Sequence, residues 1–268
     1  MSFKYKLVDS NLLYTDITDE KFKNIKEKND YQMWKNDFTL IQILVISEED
    51  DVFELEVEQI KDFEFEIYNF KKNLAYIGKT FEPIELYTKE NRTIATDLLL
   101  KENKIKLSRG ETNSFIISVK TNKEISPTKH QIHFKLNSLN NRNEKFENKF
   151  TIEVKDKKVE KLQSFDLQLW QYPYSVSEYY GLKPFSEEHI DILKNHLSIY
   201  KKLGADAIVA SICEDAWDGQ TYSKNEIHYP SMIKWSMNNG KMNYSYEDFD
   251  KWIKLNEEIS FNSSKTIL

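Results

Sequence analysis

The 268-residue chain has one cysteine, six glycines, five prolines and no long hydrophobic run. Its single thiol, Cys213, has no partner for an internal disulfide, which fits a reducing compartment. No stretch approaches the ~20 consecutive apolar residues that a membrane span needs, and the first residues lack the apolar core of a secretory signal. We therefore expect a cytoplasmic protein with no membrane contact.

Arginine is also scarce, although the chain carries 38 basic and 44 acidic residues, with a net charge of −6. An acidic, arginine-poor chain lacks the bidentate phosphate contacts on which nucleic-acid binding depends, so we expect no nucleic-acid partner. Neither GxGxxG nor GxxxxGK[ST] occurs, and no set of side chains reaches three ligands at zinc spacing. We therefore predict no cofactor and no metal site.

Residues 1–160 show the alternation of apolar and polar residues that is typical of half-buried strands. The run Phe38–Ile46 is instead apolar on both faces, which predicts a central strand. Polar turns separate the runs, and helical patterns are few. Many short strands of this kind predict an antiparallel β-sandwich. The alternating runs begin at Val52, Phe63, Phe115, Ile132 and Phe150.

The pattern changes after the polar stretch Lys155–Ser164, and we predict a second domain over residues 165–268. A strand, a helix and a strand then follow with short joints, which is the βαβ unit and predicts parallel strands. The tail FNSSKTIL does not read as a further strand. The predicted elements are strand Phe165–Trp170, helix Ser186–Leu203, strand Ala207–Cys213 and helix Tyr246–Ile259.

The two helices carry clear end signals. Ser186 is a predicted N-cap, and Gly204 suits the position after the C-cap. Ile190, Leu193, Leu197 and Tyr200 recur at helical spacing on one face, which we expect to be buried. For the last helix we predict an N-cap at Ser245 and a buried face of Phe249, Trp252 and Ile253.

Two polar and aromatic segments follow the two predicted parallel strands, at the ends where such folds bind ligands. Trp170, Tyr172 and Trp217 offer flat aromatic faces. Gln171, Glu214 and Gln220 offer hydrogen-bonding groups. A sugar ring needs this mixture, because it presents an apolar C–H face and a rim of hydroxyls. We predict these six residues as substrate-binding; the alternative is that the aromatics cap a core.

Glu214 and Asp215 are adjacent acids, and they are the candidates for catalysis. Glycoside hydrolysis usually needs two carboxyl groups roughly 5–9.5 Å apart. Successive residues in a strand point to opposite faces, so only a turn beyond the strand brings both inward. A structural or substrate-orienting role is the alternative, and the catalytic residues stay unassigned. Cys213, at the end of the strand, is expected to be buried as a small hydrophobe.

The second region resembles the start of the barrel in bacterial glycoside-hydrolase-family-123-like proteins. LWQYPY, PFSEEH, the W-x-x-Q from Trp217 to Gln220, and YEDFDKW occur in that order. The resemblance implies an N-terminal β-sandwich joined to a (β/α)8 barrel that hydrolyses glycosidic bonds, with N-acetylhexosaminides cleaved by substrate assistance. The family's catalytic pair is Asp followed by Glu on a later strand, so its role is not transferred to Glu214 and Asp215.

A full (β/α)8 barrel takes about 250 residues, and residues 165–268 supply about 100. We therefore expect a C-terminally truncated glycoside hydrolase, inactive alone, with carbohydrate as its ligand. A separately encoded remainder of the barrel is the expected partner. The alternative function is a non-catalytic carbohydrate-binding or interaction module in which the sandwich does the binding.

Overall fold

A computed structural model describes residues 2–11, 14, 17–76, 92–140, 145–160, 167–214 and 229–267. The chain divides into two compact units, Met1–Lys161 and Leu162–Leu268. Taken as a whole, the fold is rich in β-strands arranged in several sheets. No helix in the described ranges combines the length and apolar character that crossing a membrane requires.

The first unit consists almost entirely of strands. Its elements are β1 (Phe3–Val8), α1 (Asp19–Asn24), β2 (Asp30–Lys35), β3 (Phe38–Ser47), β4 (Asp51–Val57), β5 (Phe63–Tyr76), β6 (Arg92–Leu100), β7 (Lys104–Leu107), β8 (Thr112–Thr121), β9 (Lys129–Ser138) and β10 (Lys145–Lys158). They form two five-stranded sheets, ordered β1-β3-β8-β5-β6 and β2-β10-β9-β4-β7. Every neighbouring pair is antiparallel except β2 and β10.

One apolar core lies between these two sheets, because alternate residues of each strand point into it. Phe115 and Ile117 of β8 and Phe134 and Leu136 of β9 belong to this single buried cluster, although they come from different sheets. The predicted period-two runs therefore mark the core face correctly.

Strand β3 is buried on both faces, which explains its continuous apolar run. Ile43 and Val45 enter the core between the sheets. Leu44 and Ile46 point the other way, into a smaller cluster with Phe22 of α1. The prediction that Phe38–Ile46 is a central strand is confirmed, since β3 pairs with β1 on one side and β8 on the other.

The second unit mixes helices with short strands. Its elements are α2 (Pro173–Tyr180), α3 (Glu187–Lys202), β11 (Ala207–Val209), β12 (Lys234–Asn238), β13 (Lys241–Ser245), α4 (Glu247–Glu258) and β14 (Asn262–Ile267). Strands β11 and β14 pair in parallel, and β12 and β13 form an antiparallel hairpin. Helices α3 and α4 contribute to one apolar core that also includes Ile208 of β11.

Helix α3 matches its prediction closely. The Ser186 side chain accepts a hydrogen bond from the His189 N–H, and Gly204 has a φ of 98°, the left-handed conformation that ends the helix. Leu193 and Leu197 are buried, with Ile190 and Tyr200 packed against them.

Three expectations for the second unit are wrong. The predicted strand Phe165–Trp170 shows, in its described part, one parallel bridge between Leu167 and Ala205. The predicted strand Ala207–Cys213 ends at Val209. The tail does contain a strand, β14, whose pairing with β11 could not be seen locally because the two segments are far apart in sequence.

Helix α4 begins two residues after its predicted N-cap. Ser245 is the last residue of β13, so Tyr246 occupies the N-cap position and makes no side-chain capping bond. The buried face consists of Trp252, Leu255 and Asn256, while Phe249 and Ile253 are only partly buried. Trp252 is buried as predicted, and its indole N–H donates to the Val209 carbonyl at 2.9 Å.

A (β/α)8 barrel is not seen among the described residues, so the barrel part of the predicted fold class goes beyond what this structure contains. What is present is a short parallel arrangement: the Leu167 bridge, β11 and β14, with α3 and α4 connecting them along the chain. The statement that holds for the whole chain is a β-rich fold of several sheets.

Candidate functional site

The three parallel segments of the second unit place their carboxyl ends at one edge. Leu167 bridges to Ala205, just before β11, and β11 pairs with β14. The residues after Leu167 and those after Val209 therefore emerge on the same side. The prediction that the first two segments run parallel is confirmed. This edge is the position at which parallel α/β folds bind ligands.

Gln171 joins two of these segments through its side chain. Its Oε1 accepts a hydrogen bond from the Val209 N–H at 3.1 Å, and its Nε2 donates to the Ala207 carbonyl at 3.4 Å. The side chain is buried, at 3% exposure. It thus stands in for the strand backbone that stops after Leu167, and both ends of its amide are engaged within the protein.

An aromatic cluster with one carboxylate lies beside Gln171. The rings of Tyr172 and Tyr229 meet edge to face, with their centroids 5.0 Å apart. The buried Tyr229 donates its hydroxyl proton in a short hydrogen bond to the Glu178 carboxylate of α2. Trp170 is 67% exposed, so this ring does not cap the core. Tyr172 packs against the core of the second unit, whereas the Trp170 indole is exposed.

Buried polar contacts hold α2 in place behind this cluster. His189 is fully buried; its Nδ1 accepts from the Phe185 N–H at 2.9 Å, and its Nε2 lies 3.0 Å from the Pro173 carbonyl. Because Nδ1 accepts, Nε2 carries the proton and donates to Pro173. Burial lowers the pKa of His189 below its ordinary value, and the bond to Pro173 opposes this effect. A neutral imidazole therefore fixes the start of α2.

Asp248 makes a second contact behind the cluster. Its carboxylate lies 2.9 Å from the Lys234 ammonium and accepts a hydrogen bond from the Tyr174 hydroxyl at 3.4 Å. Burial, and then the negative charge of Asp248, raise the pKa of Tyr174 far above its ordinary value. These contacts connect α2, the hairpin and the first turn of α4.

The predicted site residues are only partly brought together. Gln171 and Tyr172 lie at the edge described above, and Glu214 is exposed five residues after Val209. Cys213 is exposed too, so the expectation that it is buried is wrong: β11 ends before it, and the chain has already left the core. Asp215, Trp217 and Gln220 lie outside the described residues.

Tyr229 and Glu178 were not identified from the sequence. Glu178 lies in a helix that starts with proline at its first position and ends at Gly181, with a φ of 66°. This proline-to-glycine pattern could have located α2. No local pattern identifies Tyr229. Within the described ranges, no group of three His, Cys, Asp or Glu side chains is arranged to hold a metal ion.

Comparison with known proteins gives a family match for part of the chain and several matching solved structures. Residues 170–268 match the family described as glycoside hydrolase 123, catalytic domain. A family 123 glycoside hydrolase from Clostridium perfringens, studied for glycolipid glycan hydrolysis, is 20% identical with a TM-score of 0.79. The match covers 97% of this chain and 46% of that chain, so this chain spans about half the length of the Clostridium protein. No curated protein matches.

A second solved structure, a FixG-related protein from Vibrio parahaemolyticus, is 11% identical with a TM-score of 0.32. It covers 58% of this chain and 98% of its own, and a likeness this low supports no conclusion. The Clostridium comparison establishes a shared fold. Together with the family match over residues 170–268, it makes the chain similar to glycoside hydrolases of family 123.

Proposed function

We propose that this chain is the N-terminal portion of a glycoside hydrolase that acts on the glycosidic bonds of N-acetylhexosaminides. The observation that carries the proposal is the family match over residues 170–268. The geometry supports it, because the matched region presents aromatic rings and a carboxylate at the carboxyl edge of parallel segments. A cytoplasmic location stays a prediction from the single cysteine.

In this proposal the first unit is a β-sandwich domain over residues 1–160, and residues 165–268 are the beginning of a (β/α)8 barrel. Two features favour a barrel: the parallel segments are neighbours in chain order, and a helix follows each of the first two. A separately encoded remainder of the barrel is the proposed partner, and it would pair along β14.

Each residue at the edge has a distinct proposed role. Trp170 stacks on the C–H face of a sugar ring, and Tyr172 lines the same site. Glu214, Trp217 and Gln220 contact sugar from the segment after β11. Gln171 acts as a positioning residue, because its amide is occupied by Ala207 and Val209. Glu214 and Asp215 remain the candidate acids for catalysis.

The first experiment measures sugar binding by isothermal titration of residues 1–268 with N-acetylgalactosamine and N-acetylglucosamine. We expect binding to at least one, and we expect Trp170→Ala to weaken it about fivefold, because one apolar stacking contact is worth roughly 1 kcal/mol. Trp34→Ala is the matched control, since Trp34 is an exposed tryptophan of the first unit. Loss of binding in Trp34→Ala alone would instead favour a binding module in the first unit.

The second experiment measures turnover of aryl N-acetylhexosaminides by residues 1–268. We expect none, because general acid catalysis requires a positioned acid, and groups misplaced by ~1 Å lose about a hundredfold in rate. Hydrolysis that disappears in Glu214→Gln would overturn this expectation. It would make Glu214 and Asp215 the catalytic pair.

A further inference from the structure

The hairpin formed by β12 and β13 exposes both of its faces. All ten residues of its two strands are exposed. The sequence nevertheless alternates as it does in strands that bury one side. A hairpin of this kind keeps a patterned apolar face toward solvent, which is unusual in a stable protein and often marks a binding surface.

The apolar face has a defined composition. Trp235 pairs with Tyr244, and Met237 pairs with Met242, so these four side chains share one face. Trp235 is 60% exposed and Tyr244 is 52% exposed. Their rings are 5.8 Å apart and nearly perpendicular, at 78°. The opposite face carries only polar and charged side chains: Lys234, Ser236, Asn238, Lys241, Asn243 and Ser245.

The hairpin is held in shape at both ends. At its tip, Asn239 and Gly240 have φ values of 49° and 73°, as in the tight turns that match the twist of hairpins. At its base, Lys234 contacts Asp248 of α4 at 2.9 Å, and Asp248 also contacts Tyr174 of α2. The apolar face is therefore formed before any ligand arrives.

The hairpin lies in the connection that leads from the carboxyl end of β11 to α4. Connections of this type build the ligand-binding face in parallel α/β folds. The size of the apolar face argues against a protein partner. Its four side chains offer a few hundred Å², whereas a stable protein interface needs about 800 Å² on each side. A sugar ring or two fits this area.

We propose that the Trp235–Tyr244 face of the hairpin binds a sugar ring of the glycan chain, beyond the sugar that occupies the site at Trp170. This inference rests on the proposed function. The aromatic rings would cover the apolar C–H face of the sugar, and the two methionines would adapt to its outline. The ligand is thus an oligosaccharide, and the hairpin binds a sugar ring that a monosaccharide lacks.

The test compares N-acetylglucosamine with its β-linked dimer and tetramer, by isothermal titration against residues 1–268. We expect the tetramer to bind tighter than the monosaccharide. We expect Trp235→Ala to weaken tetramer binding roughly three- to tenfold and to leave monosaccharide binding unchanged. Tyr244→Ala should act in the same direction. Ser236→Ala, on the opposite face, is the matched control and should change neither.

The outcomes separate the two proposals. Binding of no sugar by the unaltered chain would overturn the proposed function. Equal tetramer affinity in the unaltered chain and in Trp235→Ala, with circular dichroism unchanged, would overturn the hairpin proposal alone. A Trp235→Ala variant that converts a dimer into a monomer in light scattering would assign the face to a second copy of the chain instead, and would also overturn it.

Discussion

At the scale of single residues, Gln171 shows how a side chain extends a sheet. Its amide takes the place of a strand backbone beside β11, with bonds to Ala207 and Val209. We expect Gln171→Ala to lower the free energy of unfolding of the second unit by about 1–3 kcal/mol, because a buried carbonyl and a half-buried N–H lose their partners. Chemical denaturation measures this. The exposed Gln168 provides the control, and a similar loss in Gln168→Ala would contradict the explanation.

His189 makes the second unit sensitive to acid. Its folded-state pKa is lowered, mainly by burial, while the unfolded chain titrates near 6.5. Below that pH the unfolded state binds a proton that the folded state does not, so stability falls as the pH falls. We expect the free energy of unfolding to drop between about pH 7 and pH 5.5. The drop should be smaller in His189→Gln and unchanged in His196→Gln, a histidine of the same helix.

At the scale of elements, α3 depends on its N-cap. The Ser186 hydroxyl oxygen satisfies the His189 N–H, which has no partner inside the helix. We expect Ser186→Ala to cost about 1 kcal/mol of the free energy of unfolding. Ser198 lies exposed in the same helix and bonds back to the Lys194 carbonyl, so Ser198→Ala should cost less than about 0.5 kcal/mol. Equal losses would show that the cap has no special role.

The same helix shows what the sequence could predict and what it could not. The local signals are Ser186, Gly204 and the apolar spacing between them. They predict both ends of α3 to within one residue. Strand β14 has no such signal, since its partner β11 is more than fifty residues away. The hairpin has a local signal, since the Asn239–Gly240 pair is typical of a tight turn between two strands.

The candidate site was predictable in its position and less so in its contacts. The strand-end rule selects Trp170 to Tyr172, and these residues follow shortly after the parallel bridge at Leu167. It could not reveal that Gln171 turns inward to pair with β11, because that depends on where the first segment stops pairing. The contact of Tyr229 with Glu178 joins residues about fifty positions apart, and no spacing rule connects them.

At the scale of the whole molecule, the first unit has a core of its own. Phe115 is fully buried among residues of both sheets, all from within Met1–Lys161. We therefore expect residues 1–161, expressed alone, to unfold in one cooperative transition. Phe115→Ala should lower its free energy of unfolding by about 3–5 kcal/mol, while Phe38→Ala, at an exposed position, should cost far less. A fragment without a cooperative transition would contradict this.

The exposure of Cys213 has a practical consequence. It is the chain's one thiol, and it lies just past β11, next to Glu214. A maleimide dye will therefore attach at one known position without any mutation. If sugars bind at the carboxyl edge as proposed, its emission will report on their arrival. The rate of alkylation of the unlabelled thiol gives a second readout, since a sugar bound beside Glu214, as proposed, would shield the sulfur from reagent.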